Sequence, residues 1–389
     1  MTHPPRIAIV GAGPGGLTLA RLLFVAGLDA TVFEREAHAL ERPQGGTLDL
    51  HVQTGQLALE RAGLTAEFLR IARYDDQGTR LYDSQGQLLL AHDEASGGDR
   101  PEVDRTALRE ILLASLPAAS VRWGHTLRDV SARDDGTYDL SFDDGTRAGP
   151  FDLVVGADGA WSRVRPLVSR YQPQYSGLTF VEFGIDDVDA RHPALSALVG
   201  RGKIGIEGQG RGLIVQRNGH AHLRGYAFFR VPADWAAQRF DFATPATARA
   251  QLAAEYDGWA EGLIDLIRAG NDAIAARPIH ALPVGHHWPN RIGITLIGDA
   301  AHLMSPFGGE GVNAAMLDAA ELARHLSESS DWREAVKTFE EEMFSRVVEP
   351  ATGAAEAAAT ELSHVSLELS LAHYRAYMTA QGESASRPQ

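Results

Sequence analysis

The sequence predicts an α/β protein in which a parallel, dinucleotide-binding sheet shares the chain with a second, mostly antiparallel unit. Three observations predict it. The apolar run Ile7-Ala8-Ile9-Val10 leads straight into the turn Gly11-Ala12-Gly13-Pro14-Gly15-Gly16. A second strand-like run, Ile292 to Ile297, leads into Gly298-Asp299-Ala300-Ala301-His302. Between them, from about 172 to 275, the texture changes to short alternating apolar pieces separated by glycine-rich turns.

Residues 7 to 34 read as strand, turn, helix and strand. The helix Leu17 to Val25 is apolar on nearly all sides, so it must be buried against a sheet, and Gly27 provides its stop. Residues 54 to 71 read as helical, and Arg80 to Leu90 as strand broken by Gly86. Asp104 to Leu116 is an amphipathic helix with Asp104 or Thr106 at its cap. Val121 to Trp123, Thr126 to Ala132 and Tyr138 to Phe142 read as an antiparallel meander, because Asp-Asp-Gly turns separate its later pieces. Phe151 to Val155 returns as a buried strand. Leu213 to Val215 and Tyr226 to Phe229 belong to the antiparallel unit, which carries a helix over about 249 to 268. Residues 312 to 326, Trp332 to Val348 and the alanine-rich 351 to 379 read as helices.

The composition excludes several function classes. The chain has 389 residues and no cysteine, which rules out disulfides, thiolate catalysis and cysteine-ligated metal sites. Its formal charge of -15 disfavours nucleic acid and anionic membrane as partners. No apolar run is long enough to span a bilayer, and a core strand follows so soon after Met1 that no signal peptide is expected. The expectation is a cytoplasmic monomer. The fifteen histidines form no HExxH pattern, and there is no GxSxG elbow, so metal-dependent and serine hydrolases find no support.

The chemistry rests on the two turns. Gly11 allows the tight turn, Gly13 admits a pyrophosphate to the backbone, and Gly16 lets helix and strand pack closely. Glu34, ending the second strand, is placed to accept hydrogen bonds from an adenosine ribose. Asp299 can hold a polyol hydroxyl at the mouth of a distant strand. A dinucleotide gripped from both ends of the chain suggests bound FAD rather than an exchangeable nicotinamide. The glycines after Ser305 expose N–H groups before a helix, where they could hold flavin carbonyls. Gly45 and Gly46 would let the backbone approach an aromatic ring, and Arg42 could offset charge there, although alone it reads as a surface residue. Arg105 and Arg109 share a helix face, so one can face a cofactor while the other braces it. Asp158 and Gly159 could turn a second loop against the cofactor, or simply join strand to helix. His302 reads as a local hydrogen-bonding residue more readily than as a general base.

Together GAGPGG at 11–16, ER at 34–35, GGTLDLH at 45–51, DRTALREILL at 104–113, GADGAWSRVR at 156–165 and GDAAHLMSPFGGEGVN at 298–313 resemble the class A FAD-dependent aromatic hydroxylases, most of all the tetracycline-inactivating monooxygenases. The resemblance spans nearly the whole chain. It implies a Rossmann-like FAD-binding domain from 1–75, 104–171 and 276–348, and a mostly antiparallel substrate domain from 76–103 and 172–275. It adds a long bridging helix over 349–379 and a flexible tail over 380–389. It implies FAD on Gly11, Gly13, Gly16, Glu34, Arg35, Arg42, Asp49, Arg105, Asp158, Asp299, Pro306, Gly309, Gly311, Val312 and Asn313. Arg42, Pro306, Gly308 and Gly309 would flank the reacting ring, and Arg224, Tyr226 and Phe307 the substrate.

The implied activity consumes NADPH, which docks transiently because no second dinucleotide domain is present. Dioxygen would be carried as a flavin C4a-hydroperoxide to a phenolic or enolic polycyclic substrate. The departures bear on that substrate. A family glutamine is Glu310 here, a loop alanine is glycine, and the histidine that meets tetracycline in the drug-inactivating members aligns with Arg224, with Tyr226 close behind. Tetracyclines, other aromatic polyketides and smaller phenols all remain open. So do an FAD-dependent dehydrogenase or oxidase, and a non-catalytic FAD-binding module.

Overall fold

The computed structural model describes residues 4–41, 45–92, 99–363, 368, 369, 371, 372 and 375. A five-stranded parallel sheet runs in the order Ile294–Leu296, Leu153–Gly156, Ile7–Val10, Ala30–Phe33, Val121–Arg122. Ile7–Val10 lies in the middle with all four residues buried, as an apolar run flanked by helical layers requires. The helix Pro14–Val25 packs along the helix Glu310–Glu328, so close that a Cβ on Gly15 would approach Ala315 to 3.2 Å. The meander is three strands, Leu127–Ala132, Tyr138–Phe142 and Arg147–Phe151. Val121–Arg122 leaves that expected group and pairs parallel with Ala30–Phe33, because a helix separates them as in any crossover.

The second unit is a seven-stranded sheet, ordered Ala275–Ala281, Gln174–Ile185, His222–Arg230, Arg211–Asn218, Gly202–Gly208, Gly78–Asp83, Leu88–His92. Its neighbours are antiparallel except for Gly202–Gly208 beside Gly78–Asp83. The edge strand Ala275–Ala281 carries this sheet past the boundary expected at 275. Period-two alternation sorts its faces. Val181, Phe183, Ile185, Leu213, Val215, Leu223, Ala227 and Phe229 are buried under helices Pro245–Ala254 and Glu261–Arg268. These two helices stand where one was expected over 249–268: the first ends at Ala254, and the chain turns through Gly258, at φ +86, before the second begins at Glu261. Phe180, Glu182, Arg224, Tyr226 and Phe228 occupy the other face, in register across two strands.

The C-terminal helices are Trp332–Arg346 and Val348–Thr360. The single helix expected over 349–379 stops at Thr360, and Leu362 turns at φ +60. The cause is tertiary: Arg230 of the sheet donates from one guanidinium nitrogen to the carbonyls of Ala358, Ala359 and Glu361, at 2.7, 3.3 and 2.8 Å. The segment still bridges both units. Ala354 packs with Met304 and Ala314, and Leu371 packs against Leu81 and Leu90. The expected tail over 380–389 lies outside the described residues. Among those residues, no helix is long and apolar enough to cross a membrane.

Burial beside Glu207 pushes the Glu361 carboxyl up to about 8. A carboxyl raised on docking binds its proton in the docked state and releases it when free. Docking of this helix end is therefore expected to weaken as pH rises from about 4.5 to about 8, and no further. Limited proteolysis beyond Thr360 should show this pH step, and Glu361→Gln should flatten it.

Candidate FAD site and substrate face

The first turn has the geometry its glycines require. Gly11 sits at φ +108, where a Cβ would lie 2.3 Å from the Ala157 carbonyl oxygen, and a Cβ on Gly16 would lie 2.1 Å from the Gly11 oxygen. A Cβ on Gly13 would meet no protein atom within 4 Å. Gly11 and Gly16 thus serve close packing, whereas Gly13 faces the groove at the N-terminus of Pro14–Val25, where unpaired N–H groups attract phosphate. Glu34 is buried, and its carboxylate accepts the Ala12 N–H at 2.6 Å and the Glu36 N–H at 3.1 Å. It therefore shapes the turn, with lone pairs left for a ribose. Arg35 beside it is exposed.

Arg109 is the brace of its pair. It is buried, lies 2.7 Å from Glu36, and stacks over Trp123. Arg105 is exposed and reaches Gly46, and its charge acts on both Asp299 and Tyr226. Asp104 starts the helix Arg105–Ala114 but does not cap it with its side chain; the carboxylate takes the Gly219 N–H and Arg73 instead. Arg42 lies outside the described residues.

Asp299 is solvent-exposed by area yet crowded by protein on every side, the signature of a group on a crevice wall. Desolvation raises its carboxyl above the usual range, against the pull of His302, Arg105 and Arg165. Its turn is held from below. The Asp318 carboxylate, fully buried, accepts the Gly298 N–H at 3.0 Å and pairs with His302 Nε2 at 2.6 Å and with Arg346 at 2.8 Å. Burial pushes this carboxyl up, but His302 and Arg346 outweigh it and hold it below the ordinary range. His302 is thus a local hydrogen-bonding residue. Arg165 donates to the carbonyls of Asp299, Ala300 and Ala160, and Asp158 accepts the Arg163 N–H, so the 158–165 loop is tied to the same turn.

Gly308 and Gly309, at φ +99 and +71, lead into Glu310–Glu328, and a Cβ on Gly311 would meet only Asp299 Oδ1, at 3.9 Å. Pro306 is exposed, and Val312 is half-buried. Asn313 is fully buried, and its amide is engaged by protein. It donates to the carbonyls of Asp49 and Gly309 and accepts from His51 N, Thr54 Oγ1 and Gly55 N. It joins the 45–55 and 308–313 loops. Its contribution to a cofactor is the placing of those loops.

The substrate-side residues converge. Phe307 reaches from the glycine loop to the sheet, with ring centroids 5.7 Å from Phe180 and 6.0 Å from Phe228, and Tyr226 lies 5.9 Å from Phe180. Arg224 donates to Glu182 at 2.7 Å and lies against Gly45, while Arg277 shares Glu182 at 3.1 Å. Burial, with Glu182 nearby, pushes the Tyr226 phenol up. Glu182, Asp318 and Arg346 escape a reading of motifs, and His51 closes the GGTLDLH run without a role being read for it. Asp318 had one signal, an aspartate inside the apolar stripe of Met316, Ala319, Ala320 and Leu322.

The Gly13 turn, the Asp299 turn and the glycine loop before Glu310 thus form one continuous wall, since Ala315 lies against both Gly15 and Gly298 and a Cβ at Gly311 would lie 3.9 Å from Asp299 Oδ1. It offers backbone donors at two helix starts and a carboxylate between them, which suits a long dinucleotide. The FAD binding domain family matches residues 5–267 and 273–343. The chain belongs to that family. The flavoprotein is 32% identical over 375 residues to the monooxygenase asqM of Emericella nidulans, covering 82% of this chain and 83% of that protein. It is 32% identical to the monooxygenase penA of Penicillium thymicola, with 88% and 89% covered. Its fold is shared with Klebsiella pneumoniae HpxO complexed with FAD and uric acid (TM-score 0.78, 23% identity, 95% and 92% covered) and with tetracycline destructase Tet(51) (TM-score 0.72, 20% identity, 99% of both). This chain is an FAD-dependent monooxygenase. Changing Asp299 to alanine should remove a charge-assisted hydrogen bond worth about 1.5–3 kcal/mol. FAD titration of the apoprotein should then show binding about 10- to 100-fold weaker. Retention equal to the parent's would remove Asp299 from the site.

Proposed function

We propose that this monooxygenase takes its electrons from transiently docked NADPH and hydroxylates a planar phenolic or enolic polycyclic substrate, tetracyclines among them. The supporting observation is the aromatic face of Phe180, Tyr226, Phe228 and Phe307, bordered by Arg224, Arg277 and Glu182 and set against the glycine loop. Gly11, Gly13, Gly16, Glu34, Arg105 and Asp299 would hold FAD along the groove, and Pro306, Gly308 and Gly309 would border its ring. Bound FAD supplies the activation of dioxygen, which side chains lack. The protein contributes placement and dryness. The aromatic face stacks the ring to be hydroxylated, Phe307 fixes its distance from the loop, and the buried rings exclude water. Two arginines against one carboxylate leave this edge with one excess positive charge, suited to an enolate or phenolate.

The test is a substrate panel with NADPH loss, hydrogen peroxide and product mass measured together. Mass gain of one oxygen with little peroxide identifies the productive class, and anaerobic reduction of the flavin by NADPH alone separates this reading from a dehydrogenase. Arg224→Ala should raise KM about 10- to 100-fold, the equivalent of one charged hydrogen bond, and release more peroxide. Unchanged turnover would remove Arg224 from the substrate site.

A further inference from the structure

The glutamic acid that begins the helix Glu310–Glu328 has a partner the site so far leaves unused. His51 is buried, with one ring nitrogen on each side facing a carboxylate: Nε2 lies 3.4 Å from Asp49 Oδ2, and Nδ1 lies 3.7 Å from Glu310 Oε2. The three residues come from the two loops that Asn313 ties together. The Asp49 carboxylate presses on the glycine loop itself, since a Cβ at Gly309 would fall 2.6 Å from its Oδ1. Two carboxylates against one imidazole leave the group with a surplus of negative charge.

Its position gives that charge a consequence. The first turn of a nineteen-residue helix favours negative charge opposite its free N–H groups, and Glu310 brings its own negative charge to that place. We propose that Glu310, held beside His51 and Asp49, sets the electrostatic potential at the flavin ring and with it the ease of flavin reduction. The other charges facing the group are Lys203, which acts on Asp49 and on Glu102 from the substrate sheet, Glu102 itself, and Asp299 with Arg105 along the groove. The inference rests on the proposed placement of the flavin ring beside Gly308–Gly311.

The experiment is a spectroelectrochemical titration of the FAD-loaded protein. Glu310→Gln keeps the shape and removes a negative charge, so the midpoint potential should shift upward with FAD retained. If the group were only a brace, Glu310→Gln would leave the potential at the parent's value, and that result overturns the proposal. Gly311→Ala tests the placement separately. Its Cβ is tolerated by the protein, so unchanged FAD affinity and an unchanged visible spectrum would show that the ring lies elsewhere, and the proposal would fall with the placement.

Discussion

Asp318→Ala should destabilise the protein by about 3–5 kcal/mol and release its FAD, because it strips a buried carboxylate from two cations. His302 and Arg346 would both lose their shared partner inside the protein, and the Gly298 N–H would lose its acceptor. The damage spreads because the Gly298 N–H is part of the turn that aims Asp299. Thermal unfolding of apo and loaded protein checks the first effect, and flavin fluorescence on dilution the second. Asp318→Asn should sit between parent and alanine, since an amide oxygen can still accept one of the bonds. A melting temperature within a degree or so of the parent's would show that the buried pairs contribute no net stability.

The second large effect separates two glycines three residues apart, Gly13 and Gly16. Gly16→Ala puts a methyl 2.1 Å from the Gly11 oxygen and 3.2 Å from the Ala157 Cβ, so helix and strand must move apart. Overpacking of this kind costs about 1–3 kcal/mol or more, and both fold stability and FAD binding should fall. Gly13→Ala meets no protein atom within 4 Å, so the apoprotein should melt like the parent while FAD binding is lost to the methyl. Circular dichroism of the apo forms with FAD titration reads both. Equal losses in the two variants would contradict the division between a packing glycine and a ligand-facing one.

What was legible in the sequence follows from how local its cause is. The spacing of Gly11, Gly13 and Gly16 after a four-residue apolar strand is a backbone requirement, and it could be read without any partner. The cofactor followed from it together with the Asp299 turn, and the family from the resemblance that six segments along the chain carry. Residues whose meaning depends on a distant partner were not legible. Arg224 carried no sign of Glu182, because that pairing needs the register of two strands 42 residues apart. Asn313, expected among the cofactor contacts, has its amide occupied by loops more than 250 residues away. The alanine-rich C-terminal run has no local stop at Thr360; the stop is Arg230, reaching from the sheet. Asp318 was hidden for the same reason, as one acidic residue on an otherwise ordinary helix.

The order of strands in the parallel sheet has a consequence for synthesis. Ile7–Val10 pairs with Leu153–Gly156, whose other neighbour is Ile294–Leu296, so the site stays incomplete over the whole interval between the making of the first of these strands and the last. At about 5–20 residues per second, that interval is roughly tens of seconds. Throughout it, an apolar N-terminal strand waits beside the ribosome with no cofactor able to secure it. Pairings this far apart in sequence also close slowly. Yield in a heterologous host should therefore respond to chaperones that shield nascent strands and to cooler growth, and far less to extra riboflavin, which can act only after the last strand is in place.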